Sequence, residues 1–439
     1  MRESVIVSTT HLSDGTAAFP ADYPARAVID LAAIRDNVVA LREAAPTAAL
    51  MAVVKADAYG HGLVPSAWAA LAGGATWLGT AQVAEALQLR AEGVGPAAAR
   101  ILTWLYAPGA PFEQLVTADV DVAVGAAWAL DEVAAGARAA GRPARVHLKV
   151  DTGLGRNGIM PADLPAALAR AGALQAEGVV QVVGVMSHFA VADEPAHPTV
   201  LAQAAAFDGI VKEVEAAGFD LEVRHLANSA ATLTNPTMHY DLVRPGLAVF
   251  GLSPVPQMGA PGRYGLTPAM TLEARLATVK RIPAGSGVSY GHYYTAPQDT
   301  VLGVVPLGYA DGIPRHASGG SLGEGGPVLV GGGVGDVAAP DAGPGTVRVL
   351  RIAGRVCMDQ VMLDLGPYAT EQAGDVVTLF GASDGLAHAG APNAEDWARA
   401  AGTISYEIVT RLGVRVPRVY RGQDALGAGV ALGARGAWS

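Results

Sequence analysis

A single cysteine, Cys357, stands among 439 residues, so no disulfide can form within the chain and a reducing cytoplasm is the predicted compartment. Aromatic residues amount to only 6% and charged residues to 16%. Lys and Arg nowhere gather in a block, and the formal net charge is −10, a balance that argues against nucleic acid or an anionic membrane as partner. No run of about 18 apolar residues occurs, so no membrane-spanning helix is expected. The ten histidines show no H-x-x-x-H or Cys/His spacing, and no metal site is predicted. Residues 1–25 lack the apolar core of a signal peptide and read as a flexible tail.

What the chain does have is small and apolar: 51% hydrophobic residues and 55 glycines, ample core material for two domains. From Ala49 the pattern is rhythmic, an apolar strand, a turn and an Ala-rich helix. Candidate strands lie at 50–55, 76–80, 100–105, 120–125, 145–150, 180–188, 221–227 and 242–251. Helical stretches such as Gln82 to Ala91, Trp128 to Ala140, Asp163 to Ala171 and Ala202 to Ala217 separate them. Strands apolar on both faces that alternate with helices imply a parallel sheet, and eight such units imply a closed (β/α)8 barrel over 26–253. A doubly wound sheet would need a topological switch point, and nothing in the sequence calls for one. The short strand at 26–31 is assigned either to the barrel or to the C-terminal domain. After a Pro/Gly-rich linker come short alternating strands, among them MTLEARLATVKRI, TVLGVVPLG and VMLDLG. These predict a mostly-β domain over 264–439, with a Gly-rich surface insertion at 316–345 and a last helix from Ala394 to Leu412.

The chemistry gathers around ALMAVVKADAYGHG, where an apolar strand delivers Lys55 and then breaks into a turn carrying Tyr59 and His61. A lysine at the end of an apolar strand is either a snorkelling edge residue or a reactive amine. Barrel enzymes place their working groups at the C-terminal ends of strands. Lys149, Asp151, Thr152 and Arg156 follow the fifth candidate strand, His188 closes the sixth, Asn228 and Ser229 the seventh, and Arg244 sits at the eighth. Taken singly, Ser229 could be a helix cap, His188 a core histidine and Arg244 half of an ion pair. Their convergence on one barrel mouth predicts an anionic ligand, with Ser229 and the backbone N–H groups of Gly246 and Leu247 available to a phosphate. A lysine beside a phosphate site is the minimal equipment for pyridoxal phosphate.

The motifs AVVKADAYGHG, HLKVDTGLGRNG, MSHFA, HLANSAATL, LVRPGLAVFG, GVSYGHYYTA, LGYADG, GRVCMDQ and SYEIVTRL occur in that order. Together they resemble the bacterial alanine racemases over nearly the whole chain, from about Arg26 to Tyr420. One departure is Asp57, where the family most often shows Asn. The resemblance implies a homodimer with shared active sites, pyridoxal phosphate as cofactor, and exchange of L- and D-alanine for peptidoglycan. It implies that Lys55 holds the cofactor as a Schiff base and serves as base on one face of the substrate, with Tyr290 from the other subunit as base on the opposite face. Arg244 would face the pyridine nitrogen, partnered by His225, and His188 would orient Tyr290. Tyr59, Asn228, Ser229, Gly246, Leu247 and Tyr406 would bind the cofactor, most of them at its phosphate. Arg156 would reach the phenolic oxygen, positioned by Lys149 as a carbamate. Met358, Asp359 and Tyr309 would come from the partner subunit, the first two helping to bind the substrate carboxylate and Tyr309 narrowing the access path.

Three other readings compete: a racemase of broader specificity or one acting on serine, a fold-related decarboxylase that would need an acid at the ring nitrogen, and a cofactor carrier that would not need the second domain. GLGRNG, Gly153 to Gly158, fits G-x-G-x-x-G but sits in the fifth unit rather than the first, so a dinucleotide site is not inferred.

Overall fold

The computed structural model describes residues 19–331, 346–381 and 390–426. They divide into two compact units, one formed by Ala33–Thr267 and the other mainly by Pro268–Asp424 together with the chain up to Ala32.

In the first unit the strand–helix alternation yields eight parallel strands. They are β2 (Ala49–Val53), β3 (Trp77–Gln82), β4 (Arg100–Leu105), β5 (Val120–Val124), β6 (Ala144–Lys149), β7 (Val180–Met186), β8 (Val223–His225) and β9 (Leu242–Val243). β9 lies against β2, with Ala49 opposite Leu242. The remaining seam, between β8 and β9, is joined by Arg244 N donating to Ala227 O at 2.9 Å and Asp241 N to Arg224 O at 3.1 Å, and by a bridge between Asn228 and Arg244. The sheet is therefore a nearly closed (β/α)8 barrel. Its interior holds one apolar side chain from each of seven strands: Met51, Trp77, Leu102, Ala123, Met186, Val223 and Leu242. β6 contributes none of these; its inward residue is His147, edge-on to the Trp77 ring at 5.6 Å. Outside, helices such as Ala127–Ala140 bury Leu130 and Val133. That helix stops at Gly141, whose φ of 67° is a left-handed cap that favours a residue without Cβ.

In the second unit, strands β10 (Met270–Arg275), β11 (Thr278–Ile282), β12 (Gly287–Val288), β13 (Tyr294–Thr295), β14 (Thr300–Val305), β15 (Pro327–Val330), β16 (Arg348–Arg351), β17 (Val361–Gly366), β18 (Val376–Phe380) and β19 (Arg418–Arg421) join the early strand β1 (Ala25–Asp30). A six-stranded sheet runs β16-β15-β18-β10-β1-β19, beside a three-stranded sheet β11-β14-β17 and the β12-β13 ribbon. β1 pairs antiparallel with β10 and parallel with β19.

Four local expectations change. The run expected as a strand over 242–251 pairs only at Leu242–Val243, and Leu247–Phe250 is a 3-10 turn. MTLEARLATVKRI is two strands in two sheets, because Leu276 N bonds Asp375 O while Ala277 N bonds Val304 O. Within the Gly-rich stretch, PVLV forms β15, whose Val328, Leu329 and Val330 are at most 2% exposed because strands pair on both of its edges; 332–345 lie outside the described residues. The last helix divides into Ala394–Ala401 and Ser405–Thr410 at Gly402, whose φ is 66°.

β1 and β10 face each other through a buried ion pair, Arg26 to Glu273 at 2.8 Å, with side chains 7% and 2% exposed. Removing one partner leaves the other charge desolvated. Arg26→Met is expected to lower unfolding free energy by about 3–5 kcal/mol, measured by urea denaturation. A loss below about 1 kcal/mol is what a solvated surface pair would give.

Candidate active site

Lys55 does not end β2 as a simple strand terminus; it opens a short helical segment, Lys55–Gly60. Ala56, Asp57, Ala58 and Tyr59 all lie in the left-handed region, with φ between 52° and 55°. For L-residues such a turn costs roughly 1–2 kcal/mol per residue, and strain of this kind persists only where its surroundings over-determine it. Here Leu63 N donates to Asp57 Oδ1 at 2.7 Å, Asp57 N donates to Glu85 Oε1 at 3.2 Å, and Phe250 packs on Tyr59 at 5.1 Å and stacks on His61 at 4.4 Å. Aspartate at 57, like asparagine, is among the few side chains that tolerate this conformation.

β6 carries Arg145, His147 and Lys149 at alternate positions, so all three share one face of the strand. Lys149, 4% exposed, donates through Nζ to Asn157 O. The DTGLGRNG loop after it is folded around Asp151: Gly153 N and Gly155 N donate to Oδ1 at 2.8 and 3.1 Å, and Arg156 N to Oδ2 at 3.1 Å. Burial pushes the Asp151 carboxyl up, but these backbone donors outweigh it and hold the group below its ordinary range. The glycine-rich motif thus spends the N–H groups of Gly153, Gly155 and Arg156 on the aspartate that precedes it.

Arg244 emerges from β9 into the closing seam, 5% exposed. Its Nη2 donates to Ser187 O at 2.6 Å and Leu226 O at 3.2 Å, and its Nη1 lies 3.2 Å from His225 Nδ1. His188 Nδ1 is 3.5 Å from Nη2. Asn228 Oδ1 accepts from Ala231 N at 3.1 Å and caps the helix Ser229–Thr234. Ser229 Oγ accepts from Gly246 N at 2.8 Å and Ala248 N at 3.3 Å. A Cβ on Gly246 would stand 2.2 Å from the Tyr59 hydroxyl, so only glycine lets the phenol lie against this backbone.

The electrostatics of the mouth are one-sided. Burial first, then Arg156, lowers the Lys55 amine, with Glu85 pulling the other way. Burial, then Arg244 and Arg156, brings Lys149 down to about 8. His188 falls well below its ordinary value through burial and the cations Arg244, Arg156, Lys149 and Lys55. Arg244 is brought down to about 9 by burial and stays protonated at neutral pH. Such a crowd of mutually repelling cations suits an anionic ligand.

In the second unit, Tyr290 is 71%, Met358 54% and Tyr309 41% exposed. GYADG and CMDQ are locked together: Tyr309 N donates to Cys357 O at 3.0 Å, Ala310 N to Met358 O at 2.9 Å. A Cβ on Gly308 would meet Met358 O at 2.2 Å. Asp359 accepts from Arg415 Nη2 at 2.8 Å. Tyr406 lies in the helix Ser405–Thr410. Three residues of the barrel that the sequence did not single out also matter here: Asp121, His147 and Arg145. The alternation R-V-H-L-K in β6 was the available signal, since a strand apolar on both faces does not carry three polar residues in register.

Lys55, Tyr59, Lys149, Arg156, His188, Asn228, Ser229, Arg244 and Gly246 are thus all held by the barrel unit. Together with the β domain, they define an enzyme of the two-domain barrel class. The family model of the alanine racemase N-terminal domain matches residues 29–254, and that of the C-terminal domain matches 269–420. The chain belongs to the alanine racemase family. It is 55% identical over 413 residues to the alanine racemase of Streptomyces coelicolor, spanning 93% of this chain and 99% of that protein. It is 57% identical over 404 residues to that of Beutenbergia cavernae, spanning 92% and 100%. The crystal structure of alanine racemase from D-cycloserine producing Streptomyces lavendulae superposes with a TM-score of 0.84 at 54% identity, covering 92% of this chain and 98% of that one. Among the described residues, no helix is long and apolar enough to cross a membrane.

Proposed function

We propose that this racemase exchanges L- and D-alanine with two bases, Lys55 on one face of the substrate Cα and Tyr290 of the partner subunit on the other. The observation that carries the reading is the placing of Lys55 among the cations of the barrel mouth, where burial first and then Arg156 depress its amine so that it can react and give up a proton. Pyridoxal phosphate, when bound, supplies an electron sink that acidifies Cα–H. The meeting of the Tyr59 and Ser229 hydroxyls at the Gly246 backbone supports its phosphate being held by Tyr59, Ser229, Gly246 and Leu247, with Asn228 fixing the loop and Tyr406 completing the set. Arg244 would face the pyridine nitrogen. A guanidinium has only donors, so it leaves that nitrogen unprotonated and keeps the sink weak, which limits side reactions. His188 orients Tyr290. Arg156 would bind the phenolic oxygen, and Met358 and Asp359 of the partner subunit would help hold the substrate carboxylate while Tyr309 of the partner subunit narrows access.

The exposure of Tyr290 and Met358 supports donation of these side chains to a second copy, hence a homodimer with shared sites. The physiological role that fits is supply of D-alanine for peptidoglycan in the cytoplasm. The test is formation of D-alanine from L-alanine with pyridoxal phosphate added, beside the same assay on serine. Absence of D-alanine, or preference for serine, overturns the reading.

Lys149 is the proposed carbamate. With its amine near 8, a neutral fraction exists at neutral pH. The ammonium loses one proton, the neutral nitrogen attacks carbon dioxide as one carbon–oxygen π bond breaks, a second proton leaves nitrogen to water, and an anion replaces a cation beside Arg156. Labelled bicarbonate is expected to give a carbamate 13C resonance that Lys149→Met abolishes, with kcat/KM falling about 10-fold as Arg156 loses its charged partner. A holoenzyme without that resonance excludes the modification.

A further inference from the structure

Behind Arg244 a line of polar side chains crosses the barrel interior. Arg244 Nη1 lies 3.2 Å from His225 Nδ1, His225 Nε2 lies 2.9 Å from His147 Nδ1, and His147 Nε2 lies 3.3 Å from Asp121 Oδ2. Asp121 also accepts from Arg145 Nε at 3.1 Å, and Arg145 reaches Glu222 at 2.7 Å near the surface. Asp121, His147 and His225 are each 0% exposed.

Counting hydrogens gives this line a direction. The guanidinium has no acceptor and the carboxylate no donor. His225 must therefore accept at Nδ1 and carry its proton on Nε2. That proton goes to His147 Nδ1, so His147 in turn carries its own on Nε2 and delivers it to Asp121. The opposite tautomer at either ring would aim a donor at a donor or leave a buried N–H without an acceptor, and burial makes either mismatch costly. Burial, then Arg244 and His147, also holds His225 well below its ordinary value, so it is neutral. The backbone makes room for this arrangement. The β6–β7 register shifts between Val146 and His147, setting His147 opposite Gly184. A Cβ at 184 would stand 2.5 Å from His147 Nδ1 and 3.0 Å from Val223 O.

We infer that His147 and Asp121 are positioning residues for the reaction: they set the Nε2–H tautomer of His225, whose Nδ1 lone pair then holds Arg244 Nη1 in place. Nη2 is meanwhile kept on the Ser187 and Leu226 carbonyls. The inference rests on Arg244 being the partner of the pyridine nitrogen.

Two variants of the holoenzyme test it. His147→Phe preserves a ring against Trp77 but has no nitrogen, whereas His147→Gln offers an oxygen to His225 and an N–H to Asp121, keeping the direction. His147→Phe is expected to lower kcat/KM and cofactor affinity by about 10- to 100-fold and to scramble the His225 tautomer in 15N-histidine NMR. His147→Gln is expected to recover most of both and to keep the Nε2–H form. Wild-type enzyme with the proton on His225 Nδ1, or equal impairment of the Gln and Phe variants, overturns the inference. Should the Phe variant not fold, the wild-type tautomer and the Gln variant still decide. An Arg244→Lys enzyme with unchanged cofactor absorbance, but with the wild-type His tautomers intact, would instead remove the pyridine-nitrogen assignment alone.

Discussion

Lys55→Ala is expected to lower racemisation by at least about 10^4-fold and to abolish the visible absorbance of the bound cofactor. The size reflects two losses at once. On the two-base proposal, the amine that attaches the cofactor disappears, and so does the base on one face of Cα. The surroundings cannot replace it: the other lysine of the mouth, Lys149, is engaged with Asn157 O, and the arginines do not deprotonate at working pH. Coupled detection of D-alanine and an absorption spectrum measure both effects. A rate within about 10-fold of wild type would remove Lys55 from the chemistry. Stability should change little for the worse, since the substitution takes away an amine whose charged form is disfavoured by burial and then by Arg156.

Tyr290→Phe is expected to cost about 10^2- to 10^4-fold in racemisation, the range of one general acid–base group, while leaving the cofactor spectrum in place. Its distinguishing mark is asymmetry. With only Lys55 left, Cα–H exchange with deuterium oxide should persist for one enantiomer and nearly vanish for the other, as read by mass spectrometry of recovered alanine. Equal exchange of both would sink the two-base scheme. Because Tyr290 is 71% exposed in the single chain, loss of its hydroxyl should shift folding stability by no more than about 0.5 kcal/mol. The loop holding it is less forgiving. Ser289 sits at φ 64° and His292 at φ 47°, and Ser289 Oγ is tied to Arg355 O at 2.8 Å.

Much of the barrel was legible because its signal is local: apolar strands of five to seven residues between Ala-rich helices announce their own period. Strand ends then told which polar residues share a mouth, and Lys55, Lys149, His188, Ser229 and Arg244 all fall there. The β domain was harder. Nothing within MTLEARLATVKRI says that residues 275 and 278 serve different sheets, and PVLV is buried only because β16 and β18 flank it. The turn after Lys55 was illegible for a different reason. Ala56 and Ala58 have no preference for left-handed backbone, so the conformation is imposed by contacts of Asp57 and Tyr59 with Leu63, Glu85 and Phe250 outside the segment.

The amino-acid order alone determined the strand–helix period, the lysine that follows the first barrel strand and the motifs that assign the family, because these depend on neighbours within a few residues. Only the tertiary structure decided which lone pair faces which donor. His225 and His147 stand 78 positions apart, and their tautomers are dictated by an arginine and an aspartate that the barrel's closure brings to either end. Hydrogen-bond direction in a dry interior is set by all members of the line together, and no stretch of sequence contains them all.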